Sequence, residues 1–163
     1  MKALVTYFSQ TGNTEIVARA IHEALHVRKD IIPIQDLKDA GGYDIIFYGF
    51  PVQAHSVPGK AQAIFKLLPE GQKIALFSTH GSLRGGQLPK QAFEHAAGLA
   101  SKHKILGTFG SRGKVDPHII EALMQKPEHK AWAEEAMSAE GHPNDADLAD
   151  AKDFAKKMMS KLA

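Results

Sequence analysis

A short polar stretch near the start of the chain, Ser9-Gln10-Thr11-Gly12-Asn13-Thr14, constrains the fold more than any other. It follows an apolar run, Ala3-Leu4-Val5-Thr6-Tyr7-Phe8, and precedes a helix-like pattern that opens at Thr14-Glu15-Ile16-Val17. A strand, a tight polar loop and a helix in that order build an anion site. The loop's backbone N–H groups and the positive end of the helix dipole converge on one point. Gly12 can take a positive φ, and the hydroxyls and the Asn13 amide add donors. The stretch is therefore read as a phosphate loop. It holds no Lys or Arg, and the Gly-x-x-x-x-Gly-Lys-Ser/Thr pattern of a nucleoside triphosphate loop is absent. A neutral set of donors suits one terminal phosphate.

The rest of the chain alternates strand and helix signals. Residues 2–8 read as a buried strand, and Val17, Ala20, Ile21, Ala24 and Leu25 form one helical face. Val27 to Ile34 carries Arg28, Lys29 and Pro33, which fits an edge strand. Tyr43 to Phe50 reads as a central strand and Pro51 to Ser56 as a loop. Pro58 opens a helix with Ala61, Ile64, Phe65 and Leu68 inward. A strand over Lys73 to Ser78 is followed by a loop from Ser78 to Gly86. A helix from Pro89 turns Ala92, Phe93, Ala96, Ala97 and Ala100 inward, and a last strand spans Lys104 to Gly110. Residues 114–142 break this rhythm with two short helices, about Pro117–Gln125 and Pro127–Ala139. A terminal helix follows, capped by Asp145 or Asp147, with the stripe Leu148, Ala151, Ala155, Met158 and Leu162.

This alternation predicts an α/β fold: a doubly wound three-layer sandwich around a five-stranded parallel sheet in the order 2-1-3-4-5. One domain spans residues 1–163, with the helical insert at about 114–142. Ligands of such sheets bind outside the carboxyl ends of the strands. There the loops at residues 9–14, 51–56 and 78–86 meet.

Composition removes several classes. The formal charge is +2 with Lys and Arg scattered, which argues against a nucleic-acid binder. No apolar run is long enough to span a membrane, and the apolar start ends at Phe8 without a signal-peptide cleavage site. The chain has no Cys, so disulfides and thiolate chemistry are excluded and a cytoplasmic location is expected. His118 and His129 lack helical metal spacing, Ser82 has no nucleophile elbow around it, and no metal site is expected. Trp132 is read as packing the insert onto the domain. Arg112 and Lys114, like Arg84, read as surface charge.

Ser-x-Thr-Gly-x-Thr after the first strand resembles the phosphate loop of the flavodoxin family. The likeness extends to Tyr43-Asp44-Ile45-Ile46, to Gly49-Phe50-Pro51-Val52 and to the terminal helix introduced by His142-Pro143-Asn144-Asp145. It implies a flavodoxin-like fold and non-covalently bound FMN. Ser9, Gln10, Thr11, Gly12, Asn13 and Thr14 would wrap the phosphate. Pro51, Val52, Gln53, Ala54 and His55 would lie along the isoalloxazine ring, and Ser78, Thr79, His80, Gly81 and Ser82 would face its pyrimidine edge. The reacting atoms are then the flavin's, and no protein residue is expected to be catalytic.

The chain departs from the acidic electron-carrier flavodoxins. Neither flavin loop carries Trp or Tyr, and His55 and His80 are the flat side chains available. The low acidic charge predicts a reduced flavin that is less strongly reducing than in those carriers. The leading expectation is a flavoprotein for electron transport between redox partner proteins, as a monomer or homo-oligomer. The alternative is an oxidoreductase on the same fold, an FMN-dependent NAD(P)H:quinone or other small-molecule reductase. A non-redox binding module is a third, lesser reading.

Overall fold

A computed structural model describes residues 1–53 and 56–162. Five strands form one parallel sheet: β1 (Lys2–Tyr7), β2 (Arg28–Pro33), β3 (Ile45–Pro51), β4 (Lys73–His80) and β5 (Lys104–Arg112). Their order is β2-β1-β3-β4-β5, the doubly wound order expected from the alternation of strands and helices. The register sets Val5 of β1 opposite Ile31 of β2 and Phe47 of β3. β3 and β4 are buried on both faces, so they read as continuous apolar runs rather than alternating ones.

Among the described residues, six helices cover the sheet or extend from its edge: α1 (Asn13–Ala24), α2 (Ile64–Leu67), α3 (Gln87–Leu99), α4 (Pro117–Met124), α5 (Lys130–Met137) and α6 (Asp145–Ser160). Side chains alternate across the sheet into two cores. One holds Val5, Phe47 and Phe77 of the strands with Ile21 of α1 and Phe154 of α6. The other holds Leu4, Ile46, Tyr48 and Leu76 with Ile64 of α2 and Ala92 of α3. Among the described residues, no helix is long and apolar enough to cross a membrane.

Three details differ from expectation. β4 and β5 each run two residues further, because their ladder continues through Thr79 opposite Ser111 and His80 opposite Arg112. Polar residues are tolerated there because their side chains find partners inside the protein. The helix after Pro58 begins as a 3₁₀ turn over Gly59–Ala63, leaving α2 only four residues long. Asn144, rather than Asp145 or Asp147, caps α6. Its side chain accepts the Asp147 N–H at 3.0 Å, and the Asp147 carboxylate accepts the Asn144 N–H at 2.8 Å. In the insert, α4 carries Ile119, Ile120, Leu123 and Met124, yet none of its residues is buried.

Candidate functional site

The three loops meet at the carboxyl edge of the sheet, tied by specific hydrogen bonds. Phe8 N–H donates to Gly49 O at 2.9 Å, and Val52 N–H donates to Thr79 O at 2.9 Å. The buried hydroxyls of Thr14 and Thr79 lie 2.7 Å apart and bind each other, pinning the start of α1 to the end of β4. Gln53 Nε2 donates to Gln10 Oε1, joining the second loop to the first. Ala54 and His55, expected along the ring, lie outside the described residues.

Within the first loop, Gly12 is the residue before α1 and takes φ 97°, a left-handed conformation that an L side chain adopts only under strain. Gly12, at the cap position, has no side chain to bond the first turn. The Ser9 hydroxyl accepts from Gly12 N–H at 3.2 Å and from Glu15 N–H at 3.4 Å. The N–H groups of Gln10, Thr11, Asn13 and Thr14 have no protein acceptor among the described residues. A cluster of unpaired N–H groups at the positive end of a helix attracts an anion, and an oxygen-rich ligand satisfies it.

The side chains share this work unequally. Thr14 spends its hydroxyl on Thr79. Asn13 donates from Nδ2 to Lys114 O at 2.8 Å, strapping the phosphate loop to the start of the insert. Gly113 makes that strap possible: a Cβ there would fall 2.7 Å from Asn13 Nδ2 and 3.0 Å from its Cβ.

The third loop is shorter than expected, since Ser78, Thr79 and His80 belong to β4. Ser78 and His80 turn into the interior, and both are buried. His80 donates from Nδ1 to Ser82 O at 2.9 Å, while Nε2 has no partner among the described residues and abuts Gly110 of β5. Burial pushes its pKa down to about 4, reinforced by the nearby Arg112 and Arg84 charges, so it is neutral at physiological pH. Gly81 and Ser82 offer backbone N–H groups without an acceptor among the described residues. Arg84 leaves the edge to pair with Asp150 of α6 at 2.6 Å and to lie over the Phe109 ring.

Arg112 is the residue that the sequence concealed. Its guanidinium is buried rather than on the surface. It donates to Ser82 O at 3.2 Å and Gly81 O at 3.1 Å on one side. On the other it donates to Glu135 O at 3.0 Å, Ser138 O at 3.3 Å and Ser138 Oγ at 2.7 Å. Glu135 Oε1 also accepts the Leu83 N–H at 3.0 Å. The only signal for this is strand parity, which is readable only once β5 is known to reach Arg112. Trp132 is half-buried, whereas His118 and His129 are exposed.

Comparison with known proteins agrees with this geometry. The sequence profile described as "Flavodoxin domain" matches residues 4–156. The flavodoxin-like domain-containing protein BilS of Clostridioides difficile (strain CD3) is 31% identical over 175 residues, spanning 100% of this chain and 99% of that protein. Among solved structures, an archaeal flavodoxin superposes with a TM-score of 0.65 at 17% identity, covering 99% of each chain. A Lactobacillus acidophilus flavoprotein, solved in complex with FMN, superposes with a TM-score of 0.56 at 18% identity, covering 67% of this chain and 92% of its own. With a family match over nearly the whole length and a relative aligned from end to end, the chain belongs to the flavodoxin family.

Proposed function

We propose that the protein binds FMN at this edge and transfers electrons through it. The observation that carries this reading is the phosphate loop. A helix N-terminus with no side chain at its cap position, a left-handed Gly12 and four N–H groups without acceptors among the described residues fit a terminal phosphate ester. The residues present fit the group at its other end too. The Gly81 and Ser82 N–H groups are donors for the carbonyls of the pyrimidine edge, and Pro51, Val52 and Gln53 flank the ring position. FMN found in the Lactobacillus flavoprotein supports the same assignment. When bound, FMN supplies one- and two-electron redox chemistry. The chain's own residues hold the phosphate, orient the ring and set the charge around it.

Electron transfer between redox partners is the favoured role, because it asks nothing of an acid–base side chain and His80 is held neutral inside the protein. One observation favours the second reading, an NAD(P)H-dependent reductase of quinones or similar acceptors. No Trp or Tyr lies in residues 51–56 or 78–86 to cover the ring, so a face stays accessible to a small substrate.

Reconstitution tests both. The purified apoprotein should take up one equivalent of FMN, turn yellow and quench flavin fluorescence, and it should release the flavin on denaturation. Failure to bind FMN while folded overturns the assignment. Steady NADPH oxidation with a quinone by the isolated protein would replace the carrier reading with the reductase.

A glycine substitution tests the phosphate loop. Gly113→Ala places its methyl against Asn13 and breaks the strap to Lys114 O. FMN affinity should fall about tenfold, equivalent to about 1.4 kcal/mol. Fluorescence titration measures this, and an unchanged dissociation constant would show that the strap does not shape the phosphate site.

A further inference from the structure

We propose that Arg112 is a positioning residue for the flavin. It clamps the third loop onto the helical insert and places a buried positive charge behind the pyrimidine edge. This rests on the reading above, in which the third loop faces the ring. Three features of the clamp carry the inference.

The first is the set of acceptors. Five hydrogen bonds from Nε and the two terminal nitrogens all end on neutral oxygens, and no carboxylate pairs with the guanidinium among the described residues. Arginine stays charged, so its positive charge sits under this loop at all working pH values, with the Glu135 carboxylate on the Leu83 N–H as the opposing charge nearby. Its partners on the insert, Glu135 O and Ser138 O, are among the last carbonyls of α5, where a cation also meets the negative end of the helix dipole.

The second is direction. In a trans peptide the N–H points opposite to the C=O. Gripping Gly81 O therefore fixes the aim of the Ser82 N–H, which is without a protein acceptor among the described residues. His80 Nδ1 and Arg112 both donate to Ser82 O, and Glu135 Oε1 accepts the Leu83 N–H of the same peptide, so the next peptide along the loop is fixed as well.

The third is packing. Gly81 sits so close to Val115 and Ala136 of the insert that a Cβ would overlap Val115 Cγ2. The loop is thus seated on the insert as well as bonded to it. The insert is on this view a structural part of the flavin site.

A fixed positive charge in a water-poor site favours the extra negative charge that reduction places on the ring's pyrimidine side. The fork geometry adds aim, which a lysine cannot reproduce. The two contributions separate in Arg112→Lys and Arg112→Met, each examined for apoprotein Tm, FMN dissociation constant and the potentials of the loaded protein.

Arg112→Lys should weaken FMN binding about tenfold while keeping the potentials close to wild type. Arg112→Met should weaken FMN binding as much or more. It should also favour the oxidised over the reduced flavin by a further factor of about ten, lowering a one-electron potential by about 59 mV. Should Arg112→Met not fold, the split between affinity and potential in Arg112→Lys still decides. A lysine variant with wild-type FMN affinity overturns the clamp. Lowered Tm with unmoved affinity and potentials in the folded variants also overturns it, since that is the signature of a merely structural arginine. Wild-type protein that takes up no FMN overturns the FMN reading and the inference with it. Normal wild-type loading beside unaffected variants overturns the inference alone.

Discussion

Gly49→Ala should strongly destabilise the fold. Gly49 lies in β3 between Tyr7 of β1 and Phe77 of β4. The Phe77 ring crosses over it, so a Cβ would overlap Cε2 and Cζ and come within 2.6 Å of Cδ2. Phe77 is fully buried in the core facing α1 and α6, so the ring has no free space to enter. Overpacking of this kind costs about 3 kcal/mol, a large part of the ~5–15 kcal/mol that holds a domain folded. The Gly49 carbonyl also accepts the Phe8 N–H just before the phosphate loop, so the damage extends to the site. Urea unfolding provides the measurement. Adding Phe77→Leu to Gly49→Ala should recover stability even though the leucine alone costs some, because the two residues share one volume. A Gly49→Ala protein with the wild-type midpoint, or purely additive effects in the pair, would show that the strand relaxes around the methyl group.

Much of this arrangement is legible in the residues. Continuous apolar runs of strand length between turn residues, such as Ile45-Ile46-Phe47-Tyr48, read as strands buried on both faces, and their alternation with helices matches the doubly wound order found in the sheet. The polar loop at Ser9–Thr14 announces itself because glycine and hydroxyl residues sit between a strand and a helix. What stays hidden is polarity inside the fold. Ser78-Thr79-His80 and Ser111-Arg112 look like loop because their composition is polar. They are strand because Thr79 finds Thr14, His80 finds Ser82 O, and Arg112 finds carbonyls as far along the chain as Ser138. Such partners are set by tertiary placement, and no local pattern reports them. The same holds for the Asn13 side chain, whose amide straps the loop to Lys114 O. Gly113 carries no turn signal either; its role is to let Asn13 approach. The insert is a further case: α4 is apolar in sequence without burying any residue, so hydrophobicity alone misstates how it packs.

Acid should destabilise this protein through His80, and replacing that residue should flatten the response. His80 is 6% exposed, and its Nε2 faces Gly110 with no acceptor. Protonation would place a second N–H against a glycine Cα and a charge beside Arg112 and Arg84. Glu135 and the Ser82 carbonyl offset this only partly. Burial is the largest cause of the pKa falling from 6.5 to about 4. The sign follows from proton binding. The unfolded chain takes up a proton near pH 6.5, whereas the folded protein resists until about pH 4. The contribution is therefore whole above 6.5 and is lost as pH falls toward 4, amounting to roughly 3 kcal/mol. His22, whose pKa burial also lowers, and the carboxylates add their own acid dependence, but they are present in wild type and variant alike. His80→Asn removes the titration and keeps an amide donor near Ser82 O. It should be less stable than wild type at pH 7, with the gap closing by several kcal/mol as pH approaches 4. Urea midpoints of the two proteins across that window make the comparison. Parallel curves would mean that His80 takes its proton in the folded state as easily as in water, and that its ring is not held against Gly110.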